Sequence, residues 1–530
     1  MTGSTLAEAP VTTTSGERTA RPGIVALWVF ACVPAGLALL TAVRAPRAHV
    51  LLDYWHVLAK VTDDVGGLQL GQVFTYHLDQ PFVLPSLLFW ADAAWFGGDN
   101  RVLTVVTVVL VAGIVLLLRS MLPSSLSPLT KAALTAGFSW LLLTSHAAEL
   151  WLQGTNGISW IPAVFCCVLA LALHRRPWLS YAAAALGCLS FGAALPIWFV
   201  LALVAWLRRD SRPRILVPLI IGVLVLGGWY LTRPSGPQSL ATSAFDPDGR
   251  LSVAAAALGG LWSADNATLA VIAGGLTAAL LALLWRREFA VWNGVAAYAV
   301  ALAVMLALGR TTGQVPGGNV GLISRYVVVA ALATSALLVL IAVRRPPSRP
   351  FVVGVITVAL VTHAIGGVKA GNVRGGYHPL ELAPIALRVE APEVLRSLHI
   401  QPEVIPAARA LHAYPFTDGF SLGCGGPELG GTVSLGTGEV RGAVTSQVRG
   451  DFPLTGWATV DGAVPDCVVV TDGGGIVVGA GVTALPRPTP EAPESTGWQA
   501  VAPASATGLT VLAVKSGRAY PLPVRAASSP

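Results

Sequence analysis

Seven titratable side chains, Asp53, His56, Asp63, Asp64, His77, Asp79 and Asp92, crowd one short stretch of a chain in which only 12% of residues are charged. Carboxylates and imidazoles held against an apolar surface are suited to proton transfer, because a carboxylate partly withdrawn from water has its pKa raised toward working pH. Asp53 lies in LLDYW, His77 and Asp79 in HLDQ, and Asp92 amid Trp90 and Trp95. The spacing of Asp53, His77 and Asp79 is not diagnostic of a metal site, so no metal ligand is assigned, although a divalent ion could work beside them.

What must position these residues is set by composition. The 530 residues are 54% hydrophobic, with a mean hydropathy of +0.67, well above the apolar share of about 45–50% in soluble domains. This predicts an α-helical polytopic membrane protein. The net charge of +7 does not point to nucleic acid, because the basic residues fall in short clusters such as HRR, RRDSRPR and RRPPSR between apolar runs, with no basic stripe interleaved with aromatics. Clusters of that kind report topology.

Apolar runs near 24–43, 102–118, 132–147, 158–173, 178–192, 194–207, 215–231, 267–284, 290–308, 326–343 and 351–367 predict eleven membrane-spanning helices, each needing about 20 residues to cross. With residues 1–22 as a disordered cytoplasmic tail, the Lys and Arg clusters all fall on one side, as the positive-inside rule requires. The first run is read as a retained anchor, since it lacks a small-residue cleavage site. Four polar segments, 44–101, 148–157, 232–266 and 309–325, are then outside the plasma membrane. Residues 178–207 must cross an even number of times and are read as a short hairpin broken at Gly192 and Pro196, whose tip faces protein or a wet cavity. Residues 83–96 are too short to span and are read as an interfacial helix.

The expected domains are the tail, a membrane domain over 23–369 with its large loop at 44–101, and an extracytoplasmic all-β, sandwich-like domain over 370–530, whose short Val-rich runs alternate with turn residues. Cys424 and Cys467 lie in that last region and could form one disulfide. Cys32, Cys166, Cys167 and Cys188 lie in apolar runs and read as packing. The sequence carries no Walker loop, GxSxG elbow or metal-finger spacing.

The order LLDYW, HLDQ, FGGDNR, ELWLQGTNGISW, ALGR and SRY resembles the bacterial multi-pass GT-C glycosyltransferases, of the actinobacterial cell-envelope kind, across roughly residues 24–367. The resemblance implies transfer of a sugar from a polyprenyl-phosphate donor to a glycan or glycolipid acceptor on the outer face, with an acid of the first outer loop as catalytic base. Two positions match it. Asp53 follows the first span as that acid does, and Asp79 stands at the Glu of the H-N-E-H-R seen in many relatives, where Leu78, Gln80 and Pro81 replace the other positions. Departure of an anionic lipid phosphate calls for a fixed cation or hydrogen-bond donor. Arg310, Arg325 and Arg101 are the candidates for binding the donor phosphate, with Tyr326 and His77 as partners. Trp457 and Trp498 resemble the sugar-stacking aromatics of β modules appended to such enzymes.

Each of these residues has a plainer reading beside it. Asp53 could cap a helix, His77 and Asp79 could hold a turn, Arg325 and Tyr326 could be interfacial anchors, and the two tryptophans could be core. Glu149, near Trp151 and Gln153, faces an internal cavity or headgroup water. The competing functions are a non-catalytic scaffold or lipid-glycan binding protein of the same architecture, for which the altered HLDQ speaks, and a transporter or flippase. The last would call for an inverted repeat or paired mid-span charges.

Overall fold

The structure is a computed structural model that describes residues 16–50, 52–234, 247–309, 316–344, 349–446, 448, 452–490 and 492–524. All eleven apolar runs are helical. Among the described residues seven helices are long and apolar enough to cross a membrane. An eighth crossing is made if Gly249–Trp262 and Ala267–Leu283, bent by 93°, count as one span. The expectation of eleven full crossings is therefore corrected in length: Pro128–Leu142 and Pro177–Ser190 have 15 and 14 residues, short of the roughly 30 Å hydrocarbon core at about 1.5 Å per residue. Pro128–Leu142 is buried on nearly every side, so its neighbours, rather than lipid, satisfy it.

Other boundaries differ from expectation: the region expected to be all-β from 370 opens with the end of the helix Arg349–Tyr377 and the short helices Leu382–Arg388, Pro392–Ser397 and Ile405–Ala410 before its first strand at Val440. The first helix runs Gly16–Val43, so the end of the predicted tail is helical; residues 1–15 lie outside the described residues. Segment 232–266 contains a helix, Pro247–Gly259, that crosses Ala267–Leu283 with backbones nearly touching. A methyl group added at Gly274 would stand 1.8 Å from the Ala255 carbonyl oxygen, and one at Gly259 2.0 Å from that of Ala270. Small residues at such crossings let membrane helices pack by van der Waals contact.

The predicted hairpin is present as Pro177–Ser190, a 3-10 turn Gly192–Ala194 and Ile197–Leu207. Its fold-back is shown by the Tyr181 and Trp198 rings, 5.9 Å apart, which a straight helix would hold far from each other. At the tip the Gly192 amide donates to Gln80 Oε1 at 3.1 Å. The hairpin and the HLDQ loop are thus bonded together.

The C-terminal part carries seven strands: β1 Val440–Val444, β2 Leu454–Val460, β3 Cys467–Thr471, β4 Val477–Leu485, β5 Gly497–Val501, β6 Thr510–Lys515 and β7 Arg518–Pro521. They form one antiparallel sheet in the order β1-β2-β5-β4-β3-β6-β7. The sheet curls until the Val444 amide donates to the Pro523 carbonyl just past β7, which nearly closes it into a barrel and hides both edges. The inner face, including Val468, Trp498 and Ala513, packs on itself. The outer face, including Val469, Val501 and Leu512, shares one core with Tyr54, Trp55, Leu58 and Phe89 of segment 44–101 and with the short helices Leu382–Arg388 and Pro392–Ser397. Cys424 and Cys467 are disulfide-bonded.

Candidate functional site

The site is built at the end of the helical bundle that meets the sheet. Asn100 ties its first two segments together: its Nδ2 donates to the Pro46 and Leu152 carbonyls at 3.0 and 2.8 Å, and its Oδ1 accepts from the Gly154 amide at 2.8 Å. The residues before it explain the FGGDNR motif. Gly97 and Gly98 take the left-handed conformation (φ 68° and 65°) that closes the Val83–Phe96 helix, which glycine adopts at least cost. Asp99 then caps the Asn100–Ser120 helix, accepting from the Arg101 amide at 3.0 Å.

Asp53 opens the helix Asp53–Val61 directly after Leu52, a non-glycine residue at φ 48°. Its carboxylate does not cap that helix but stands 3.4 Å from His77 Nε2, an ion-pair distance rather than a tight hydrogen bond. His77 is placed by a two-residue turn in which His77 and Gln80 exchange both backbone hydrogen bonds at 3.0 Å, with Leu78 at φ 55°. His56 lies one helical turn beyond Asp53, with its ring 6.4 Å from that of His77. Positive φ at two leucines beside two titratable residues is the kind of local strain, about 1–3 kcal/mol each, that the surrounding packing must hold in place.

Within electrostatic reach of this pair is a polar cluster from three distant segments. Arg325 donates from Nη1 to Glu149 Oε2 at 3.2 Å and to Asn156 Oδ1 at 3.3 Å, and its backbone amide also donates to Glu149 at 3.2 Å. Tyr377 donates to Glu149 Oε1 at 3.2 Å, and Asn156 Nδ2 donates to Tyr377 at 3.0 Å. Glu149 is buried, so it takes the internal option of the two expected for it. The Arg325 guanidinium lies 5.1 Å over the Tyr326 ring, which is itself buried. The Arg325 charge reaches Asp53: burial pushes the Asp53 carboxyl up, but pairing with His77 and the charges of Arg325 and His56 outweigh it and hold it below its ordinary value. The expectation of a raised pKa is corrected here, because three basic groups converge on one acid.

No protein-family model matches the chain. No curated protein matches it either. Among solved structures it is similar to the crystal structure of ArnT from Cupriavidus metallidurans bound to undecaprenyl phosphate, at 15% sequence identity and a TM-score of 0.39, covering 73% of this chain and 75% of that one. A likeness of that size assigns neither residues nor activity.

The remaining candidates are placed differently. Asp79 is held within its own loop: Gln80 Nε2 donates to its carboxylate at 2.7 Å and the Trp229 indole to its backbone carbonyl at 2.8 Å. Arg101 spends its Nε on the Ala45 carbonyl at 3.0 Å, on the side of the Asn100 junction where the first helix ends. Arg310 lies outside the described residues. Trp498 is 2% exposed within the inner face of the sheet, which corrects its reading as a sugar platform, since no ring face is open; Trp457 is half-buried. Among the described residues no group of three or more His, Cys, Asp or Glu is placed to hold a metal ion.

Below the HLDQ loop an apolar groove of about 750 Å³ runs along the hairpin and the Arg212–Thr232 helix. Tyr76, Pro81 and Val83 line its loop end, and Ala185, Trp198 and Val225 are among its walls. Sequence reading singled out neither this groove nor Asn156 and Tyr377. The groove had one signal, the broken hairpin; Tyr377, far along the chain in a Gly-rich stretch, had none.

Proposed function

We propose that this protein transfers a sugar from a polyprenyl-phosphate donor to a cell-envelope glycan or glycolipid at the outer face of the membrane, as an inverting glycosyltransferase of the GT-C kind that its motifs resemble. The observation that carries this reading is the apolar groove opening from the loop whose His77 pairs with Asp53, with Arg325 within electrostatic reach. An isoprenoid tail in the groove would present its phosphate to that loop.

In this mechanism Asp53 takes the proton of the acceptor hydroxyl while the hydroxyl oxygen bonds to the anomeric carbon. The bond from that carbon to the phosphate oxygen breaks, and the electron pair leaves with polyprenyl phosphate, whose charge Arg325 offsets. A donor phosphate beside Arg325 would also cancel part of the field that depresses the Asp53 pKa, so the base strengthens when the donor is bound.

The test is incubation of purified protein with labelled polyprenyl-phosphate sugar and acceptor glycolipids, reading released polyprenyl phosphate. Asp53→Asn is expected to lower release by about a hundredfold or more while leaving helicity unchanged; full activity in that variant overturns the assignment. The second reading, a non-catalytic lipid-glycan binding protein, is favoured by the engagement of Asp79 and Gln80 in holding their own loop. That reading predicts retention of the labelled lipid without release.

A further inference from the structure

A second cavity, of about 690 Å³, shares no lining residue with the apolar groove. It lies where the first helix and the long helix Arg349–Tyr377 end beneath the sheet, with Arg44 contributed by the segment after the first helix and Arg374 by the last turn of the second. Ala484, Leu485 and Pro486, at the end of β4, form its roof.

Charge is unevenly spent around it. Glu381, the one carboxylate in the lining, is shared between His49 Nε2 at 3.1 Å and His378 Nδ1 at 3.2 Å. Among the described residues neither the Arg44 nor the Arg374 guanidinium has an ion pair or hydrogen bond. Two uncompensated guanidiniums at the sheet end run against the concentration of basic residues expected on the opposite side of the membrane. Below them the wall is apolar: Leu40 lines the cavity, and Val43 and Val368 on the same two helices are exposed, as lipid-facing positions are.

We infer that this cavity binds the phosphate-bearing headgroup of an anionic bilayer lipid, with Arg44 and Arg374 donating to the phosphate and the acyl chains lying along the two helices. Guanidinium groups match phosphate with paired hydrogen bonds, and basic pockets between spanning helices hold anionic headgroups. The site stands whether or not the chain is a glycosyltransferase, since none of these residues belongs to the Asp53 and Arg325 cluster.

The experiment is native mass spectrometry of the full chain released from nanodiscs of mixed phosphatidylglycerol and phosphatidylcholine. Wild type is expected to retain phosphatidylglycerol with about tenfold preference, which corresponds to about 1.4 kcal/mol. The double variant Arg44→Gln, Arg374→Gln should bring that preference to near parity, while Arg44→Lys, Arg374→Lys, which keeps the charge, should restore part of it. No preference in wild type, or an undiminished one in the double Gln variant, overturns the proposal. Displacement of the lipid by excess inorganic phosphate also overturns it, by showing a free-anion site.

Discussion

Asp53 is an acid whose pKa its neighbours hold below the ordinary value, and that has a measurable consequence. A carboxyl with a depressed folded pKa contributes stability that is present above its unfolded value, near 3.8, and is lost as pH falls through the lower folded value. Asp92 behaves in the opposite way. It is 2% exposed, accepts from the Tyr54 hydroxyl at 3.0 Å, and is pushed by burial up to about 8. Its proton-bound form stabilises the fold below about 3.8, and that contribution drains away as pH rises through about 8. Asp92→Asn should therefore flatten the dependence of the unfolding temperature on pH between these limits, as followed by tryptophan fluorescence; an unchanged slope would show that Asp92 is ionised in the fold. Glu149→Ala strips Arg325 of its carboxylate partner and is expected to destabilise by about 3 kcal/mol and to impair turnover, whereas Glu149→Gln should recover more stability than activity. At this scale the sequence exposed the right residue types but not their company. Asp53 and Asp79 looked alike in a list of acids, and only the direction of a two-residue turn, which no composition encodes, sends His77 to one and Gln80 to the other.

Helices were the most legible elements, because long apolar runs admit little else in lipid, and all eleven runs are helical. Their lengths were less legible, since a helix shielded by other helices need not match the bilayer. Pro247–Gly259 was not legible because it has 13 residues, fewer than a span needs, and lies in a segment otherwise rich in polar and turn residues. The small residues where it crosses Ala267–Leu283 carry a prediction. Gly274→Val would place side-chain atoms against the Ala255 carbonyl, a backbone group that cannot swing aside, and is expected to cost about 1–3 kcal/mol, seen as a lower unfolding temperature and yield. Gly275→Val, at a position where an added carbon meets nothing, serves as the control and should leave both unchanged.

At the scale of the whole molecule, the switch from long apolar runs to short Val-rich ones separated helices from strands well. It gave no hint that the sheet's outer face and segment 44–101 share a core, because contacts across more than 300 residues leave no local pattern. The Cys424 to Cys467 bond closes a loop of 43 residues within that arrangement, worth about 4 kcal/mol in the chain-entropy treatment. Reduction, or Cys424→Ser with Cys467→Ser, should lower the unfolding temperature of the sheet, and turnover should fall with it because the Asp53 helix loses its outer wall. Unfolding of the sheet without any change in turnover would show the two to be uncoupled. The shared core also fixes when the site can mature. Leu512, Val514 and Ala519, which rest against the same cluster as Tyr54 and Trp55, are synthesised well after the long helix Arg349–Tyr377, so a nascent chain inserted through that helix still lacks the buttress for its first acid. Chains stopped short of β6 should reach the bilayer yet never assemble a working centre.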